Sequence, residues 1–363
     1  MKMIKFIAVA AISMAMFSSC GNGGKGSANG GADSTSADKE LSGAGSTFGN
    51  PIYTKMFDVY NQKTGVKTNY QANGSGAGIS MLVKKTVDFG ATDAFMSDKD
   101  IQGAGADIVH IPTCLGAVAI SYNLPGDPKL KFTGDLLAKI YLGKITKWND
   151  KAIAAENPDA KLPNLDILVA HRADGSGTSY IFTDFLSKSN DDWKNGPGAN
   201  KNPAWPAGVG GKSNDGVAGL IKQTSGAIGY VELIYALKNN MVFADVKNPS
   251  GKYITPSLAS TSAAADIDIP ADCRLTITNS AAAEAYPISS FTWIVLYKEQ
   301  KYGDRSLDKA TNLVKLLWWA THDGQQYCEP LQYAKLPAKA VSAVEGVLKS
   351  VTYDGKAILS QNP

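Results

Sequence analysis

The sequence predicts a two-domain α/β protein, and three observations carry that expectation. A chain of 363 residues exceeds what one hydrophobic core usually organises. Short apolar runs alternate with amphipathic ones in the strand–helix–strand order of βαβ units. Glycine- and hydroxyl-rich turns mark several of the junctions between them. Hydrophobic residues make up 44% of the chain and charged residues 19%, a balance typical of globular proteins. Beyond the N-terminus no apolar run approaches the length of a membrane-spanning helix.

The first twenty residues hold Lys2 and Lys5, an apolar stretch over 6–17, and then Ser18, Ser19 and Cys20. That order is the tripartite pattern of an export signal. The small residues before Cys20 resemble a bacterial lipobox, with Phe17 in place of the more usual Leu, so Cys20 is expected to become the lipidated first residue. Residues 21–40 are mostly Gly, Ser, Ala, Asn and Asp, too polar to offset the entropy of ordering, and are expected to form a flexible tether. The formal charge of +3 includes Lys2 and Lys5. Without them the mature chain is near neutral, which excludes nucleic acid as an expected partner.

Beyond the tether, strands are expected at 41–45, 66–71 and 87–91, with helices at 51–63 and 77–85 between them. An apolar strand at 117–122 ends in Asn123, Pro125 and Gly126, which makes a domain change near Tyr122 the natural reading. Helices near 133–141, 150–157 and 179–186 follow. A Gly- and Pro-rich break over 196–211 precedes a helix at 216–223 and a strand at 227–231. The apolar run 291–297 precedes an amphipathic helix at 307–322, in which Trp318 and Trp319 are read as core and rim residues. Cys114 lies in an apolar run and is read as a buried small hydrophobe. Cys273 and Cys328 are left as a pair that an oxidising compartment could join, although pairing is the less favoured reading. No spacing of Cys or His points to a metal.

Three turns stand immediately before expected helices: Gly45-Ser46-Thr47-Phe48, Gly74-Ser75-Gly76 and Gly175-Ser176-Gly177-Thr178. Each offers unsatisfied backbone N–H groups, a hydroxyl and the positive end of a helix dipole. Several such termini converging on one point would make an anion site that needs few cations. Each turn taken singly is more often an ordinary N-cap. Arg172 supplies a planar fork of donors beside the third turn, and Asp174 is placed to orient it. Asp93, at the end of a strand, reads equally as a ligand group and as a cap for the helix after it.

These motifs resemble the periplasmic phosphate-binding protein family of the phosphate-specific ABC transporter, over residues 41 to about 337. The landmarks are GAGSTF at 43–48, YQANGSGAG at 70–78, VDFGATD at 87–93, IYLGKITKWND at 140–150, RADGSGTS at 172–179 and GAIGYVE at 226–232. The resemblance implies a two-lobe, type II periplasmic-binding-protein-like fold with its ligand in the interdomain cleft. It also implies a monomer on the periplasmic side of the cell envelope, membrane-bound through Cys20 and serving membrane-embedded permease subunits. Carried over residue by residue, the phosphate contacts are Thr47, Phe48, Ser75, Asp93, Arg172, Ser176, Gly177 and Thr178, with Asp174 orienting Arg172. One lobe is expected to combine 41–121 with 290–363 and the other to span 122–289, with the apolar strands at 117–122 and 288–297 as the crossings. In that frame Asp93 is an ionised acceptor for a proton on the bound phosphate, a bond that sulfate cannot offer. Two positions depart from the family pattern: Gly49 stands where Pro is usual and Gly76 where a second Ser is usual.

No catalytic machinery is visible and no cofactor is implied. The Gly211-Lys212-Ser213 triplet lacks the earlier glycine of a phosphate loop, since Pro206 stands there. Ser75 and Ser176 both fail the G-x-S-x-G pattern, being preceded at the glycine position by Asn73 and Asp174. The chain has three His, and His171 reads as a strand residue. A receptor for another tetrahedral oxyanion, or a phosphate-ester hydrolase on the same scaffold, remain the rival readings.

Overall fold

The computed structural model describes residues 36–359. The expected export signal, Cys20 and the tether up to residue 35 lie outside the described residues. The first strands are β1 (Glu40–Gly45), β2 (Lys67–Gln71), β3 (Phe89–Thr92), β4 (Ile108–Tyr122), β5 (Lys131–Phe132), β6 (Leu168–Arg172) and β7 (Val209–Gly211). They are followed by β8 (Ala227–Glu232), β9 (Val242–Phe243), β10 (Asp245–Lys247), β11 (Tyr253–Ile254), β12 (Ser289–Tyr297), β13 (Thr352–Tyr353) and β14 (Lys356–Ala357). The helices of the first half are α1 (Asn50–Thr64), α2 (Ser75–Val83), α3 (Asp98–Gly103), α4 (Gly134–Tyr141), α5 (Lys151–Glu156) and α6 (Gly177–Ser189). Those of the second are α7 (Asp191–Asn195), α8 (Ser213–Gln223), α9 (Leu233–Lys238), α10 (Leu258–Ala263), α11 (Leu307–Thr321) and α12 (Ala338–Lys349).

Nine strands form one sheet in the order β2-β1-β3-β12-β4-β8-β6-β7, with β9 added on β4. At one end β1 runs parallel to β2 and β3, and at the other β6 runs parallel to β8 and β7. Between these two βα halves lie β12 and β4, antiparallel to each other and to their outer neighbours. The strand expected at 117–122 is the last part of a 15-residue strand. Its first part pairs with β12 and its last part with β8, so one continuous strand carries the chain from one half to the other. Pro112 is accommodated by a shift in register opposite Thr292 and Trp293, which leaves Thr113 as the extra residue.

The described residues pack as one compact unit. The larger core runs under most of the sheet and encloses Phe48, Tyr53, Phe89, Trp148, Phe182 and Tyr230. A smaller core joins Leu82, Val87, Met96, Ile108 and Leu115 to Ala264, Ala265, Ile277 and Ala285. The last four fall within the stretch assigned on sequence to the 122–289 lobe, yet they share a core with residues from before 122. On its other side Thr278 of the same stretch meets Asp184 and Lys188 of α6. This segment therefore bridges the two halves. Its one helix, α10, has six residues, too few to build a layer of its own.

One other expectation changes. The last residues of the expected 21–40 tether are structured: Ser36–Lys39 make a 3₁₀ turn and Glu40 opens β1. Ser306 donates to the Asp38 carboxylate and Asn312 Nδ2 to its carbonyl at 2.9 Å, bonds that a composition argument could not foresee. Cys114 is a buried small hydrophobe as expected, and Cys273 and Cys328 are also buried and free, the reading favoured from the sequence. Cys328 instead neighbours Cys114, whose thiol is pushed well above its ordinary range by burial and by that neighbour.

The turn after β1 demands glycine at its first position. Gly45 has φ of 135°, and a Cβ there would stand 2.0 Å from the Ala91 carbonyl oxygen of the adjacent strand. Gly45→Ala is therefore expected to destabilise the fold by about 2 kcal/mol or more. Urea denaturation of the two proteins checks this, and a midpoint unchanged by the substitution would contradict the close approach of β1 and β3.

Candidate anion-binding site

The first turn is shaped by hydroxyls that hold its carbonyls. Tyr70 donates to the Ser46 carbonyl at 2.7 Å, Tyr235 to that of Thr47 at 2.6 Å and Tyr333 to that of Phe48 at 2.5 Å. In a trans peptide the N–H lies opposite its C=O, so fixing three consecutive carbonyls also fixes the direction of the amides that follow them. The Phe48 ring is fully buried, packed edge-on against Tyr333. Neither Thr47 nor Ser75 caps a helix. α1 begins after Gly49 and α2 after Gly74, both without a side-chain cap. Only the third turn follows the ordinary pattern, with Ser176 Oγ accepting the Ser179 N–H at 3.1 Å.

Asp93 sits where the turns meet and is 2% exposed. Its Oδ1 accepts from Ser46 Oγ at 2.5 Å and Thr292 Oγ1 at 2.7 Å, and Tyr53 backs Thr292 at 3.1 Å. Its Oδ2 has only a long contact from Ser75 Oγ at 3.4 Å. Burial raises the Asp93 carboxyl to about 6, with Ser46, Thr292, Arg172 and Ser75 opposing the shift. Helix α3 is capped by Ser97 in a capping box with Asp100, so Asp93 is not the cap of the helix that follows it.

From the other half, α6 presents its N-terminus to this carboxylate. Ser75 Oγ accepts the Gly177 N–H at 3.1 Å, and the Gly76 N–H donates to the Gly175 carbonyl at 2.8 Å. A Cβ at Gly177 would lie 2.5 Å from Asp93 Oδ2, so only glycine permits this approach. Arg172, 2% exposed, is gripped by Asp174 through Nε at 2.8 Å and Nη2 at 2.5 Å, leaving Nη1 toward Thr178 Oγ1 at 3.5 Å. Burial works against the Asp174 carboxylate, but the Arg172 bonds hold it below its ordinary value. The residues singled out in the three turns, with Asp93 and Arg172, are thus brought together.

Several partners had no signal in the sequence. Asn214, fully buried at the start of α8, donates from Nδ2 to Thr47 Oγ1 at 3.0 Å and Thr178 Oγ1 at 3.3 Å. One amide thereby joins hydroxyls from the two halves, and both keep their own protons to donate elsewhere. Ser46 and Thr292 were missed as well. Ser46 lay inside a recognised turn, but Thr292 is 199 residues from Asp93. The two departures from the family pattern have local causes. The Tyr53 ring would be 2.5 Å from a Cβ at Gly49, and Gly175 Cα would be 3.2 Å from one at Gly76. None of the three His joins the cluster: His110 accepts the Met96 N–H, His171 stacks on Trp205 and His322 on Trp318.

With this geometry in hand, comparison with known proteins is informative. The periplasmic-binding-protein (PBP) superfamily domain model matches residues 30–316. The chain is 41% identical over 313 residues to the phosphate-binding protein PstS of Xylella fastidiosa, covering 84% of each chain. It is 40% identical to the PstS of Haemophilus influenzae, covering 85% of this chain and 92% of that one. Among solved structures, a high-affinity periplasmic phosphate-binding protein with bound phosphate superposes with TM-score 0.68 at 18% identity, over 84% of this chain and 93% of the other. A human phosphate-binding apolipoprotein does so with TM-score 0.69 at 17% identity, over 87% and 99%. The chain belongs to the PstS family of phosphate-binding proteins and has the two-lobe α/β fold of its superfamily.

A buried carboxylate with a raised pKa makes the ligand-free fold depend on pH. Because folded Asp93 holds its proton more tightly than the unfolded chain, its contribution to stability is complete below the ordinary value of 3.8 and is lost as pH rises through about 6. Asp93→Asn has no such loss, and its Oδ1 can still accept from Ser46 and Thr292. The phosphate-free variant should therefore exceed the parent in stability by about 1 to 3 kcal/mol near pH 8, and the gap should close toward pH 4. Urea denaturation across that range tests it; a gap independent of pH would show that Asp93 does not titrate as described.

Proposed function

We propose that this member of the PstS family captures inorganic phosphate between a lobe built from 41–121 with 290–363 and a lobe spanning 122–289. It acts as a monomer and hands the anion to the membrane-embedded permease subunits of an ABC importer. The carrying observation is Asp93, whose Oδ1 is saturated by two hydroxyl donors while Oδ2 faces the N-terminus of α6 with only a long contact. Around it Thr47, Ser176 and Thr178 have O–H protons to give, Arg172 brings a guanidinium held by Asp174, and the first turn of α6 brings backbone N–H groups. Phe48 and Ser75 would add further backbone donors from their turns, and Gly177 lets the halves meet closely.

Such a site offers donors to every oxygen of a tetrahedral anion and one acceptor for its proton. Phosphate near neutral pH still carries a proton and bonds to Asp93. Sulfate has none, and its lone pairs meet those of the carboxylate. This role breaks no bond in the ligand, so capture and release is the chemistry proposed for the cluster.

The expected anchor is proposed on the same footing. Cys20 becomes the lipidated mature N-terminus and holds the protein on the periplasm-facing side of a membrane, with the residues up to 35 as the tether. Cys20→Ala should move the protein from the membrane to the soluble fraction. An unmodified N-terminus elsewhere, found by intact-mass measurement of the native protein, would remove the anchor.

Titration calorimetry with phosphate and sulfate tests the site itself. The parent is expected to bind phosphate and exclude sulfate. Arg172→Ala should weaken phosphate binding by about a hundredfold, the usual cost of losing a charge-assisted contact in a desolvated site. Asp93→Asn should retain phosphate binding and gain measurable sulfate binding, because its amide can donate to an unprotonated oxygen. Sulfate still fully excluded by Asp93→Asn would sink the assignment of Asp93, and unchanged phosphate affinity in Arg172→Ala would put the guanidinium outside the site.

A further inference from the structure

Away from the anion cluster, a cavity of about 620 Å³ opens between α12, α3 and the start of β4. Its walls are largely apolar, with Ile101 on α3, Ile108 and Val109 on β4, and Ala343 and Val347 on α12. Gly346 on α12 also borders it, and a Cβ there would meet nothing within 4 Å. A volume of this size is in the range that holds a small organic molecule.

His110 is the second observation that points to a ligand. It lines the cavity yet is only 2% exposed. Its Nε2 accepts the Met96 N–H at 2.9 Å, so the neutral ring must carry its proton on Nδ1. Burial lowers the His110 pKa to about 3, which keeps the ring neutral. Nδ1–H has no partner among the described residues and is left as a donor. Arg274 lies on the same wall, with Nε bonded to Asp272 at 2.9 Å and Nη1 to Asp98 at 2.6 Å. The guanidinium is thus already engaged by carboxylates, and the wall, with Asp272 and Arg274 as its charged residues, offers no unpaired cation.

We propose that this cavity is a second binding site, for an uncharged small molecule with an apolar body and a carbonyl-type acceptor that takes the His110 Nδ1–H. The apolar walls suit the body, the His110 N–H fixes its polar end, and a guanidinium already paired with carboxylates leaves no cation to hold an anionic head. The site therefore selects against the ligand class that the anion cluster selects for.

Nile red, an uncharged aromatic dye with a carbonyl, is a suitable probe on the phosphate-loaded, full-length protein. Saturable one-to-one binding with a dissociation constant of order 10 µM is expected. Gly346→Leu fills the cavity from a helical position that has room for the side chain, so it should fold and bind phosphate normally while weakening dye binding at least about tenfold. Decanamide should displace the dye and decanoate should not. Dye binding that is absent, or unsaturable, or unchanged in Gly346→Leu would overturn the site. Decanoate displacing the dye as well as decanamide would overturn the ligand class.

Discussion

The structure is organised around one constraint: a carboxylate is kept out of water at a point where positive helix ends converge. An isolated buried Asp would simply take up a proton. Asp93 is supplied instead with two hydroxyl donors on one oxygen, a guanidinium nearby and the N-terminus of α6 beyond the other. Each of these has its own support. Tyr53 backs Thr292, Asp174 grips Arg172, and Gly177 removes the side chain that would hold α6 away. The requirement thus propagates outward into four separate regions of the chain, and the sheet is what brings those regions together.

That sheet explains how a chain of nearly balanced charge can present an anion site. Parallel βα units place helix N-termini at the same edge of the sheet, and there are such units on both sides of β12 and β4. Backbone N–H groups and aligned peptide dipoles then supply positive potential from neutral residues. One buried arginine suffices, already half-neutralised by Asp174, which leaves the guanidinium oriented and its net field modest. β4 and β12, which lie between the two halves, are neighbours in the sheet, so any motion of one half relative to the other would be concentrated along a single pair of strands.

How much of this was legible in the sequence follows from the range of the interactions. The three turns were readable because a glycine, a hydroxyl and the start of an amphipathic run lie within four residues of one another. The helices at 51–63 and 307–322 and the strands at 41–45 and 227–231 emerged within a residue or two of their expected bounds for the same reason. Asn214, Thr292, Tyr235 and Tyr333 were invisible, since each acts on a residue more than 150 positions away. The first half of β4 was missed as a strand because Pro112 interrupts the pattern, and only a partner strand with a compensating register shift makes it tolerable. Cys273 and Cys328, whose pairing was the less favoured reading, are free, and burial makes small apolar side chains of all three cysteines.

A second buried acid shows why environment, and not burial alone, assigns the charge at the site. Glu232, like Asp93, ends a strand in the middle of the sheet and is fully buried. Its Oε2 accepts the Ile234 N–H at 2.9 Å and has only a 3.4 Å contact from Tyr333, while Oε1 has no partner among the described residues. Burial therefore dominates and pushes its carboxyl well above the ordinary range. Asp93 has two strong hydroxyl donors and Arg172 in its favour and stays at about 6. The nearby Asp93 adds to the upward push on Glu232, so of the two acids the one with fewer donors is the one held further above its ordinary range. A single negative charge at this point is what a proton-bearing anion requires, because a second carboxylate would cancel the field of Arg172 and the helix ends that must attract it.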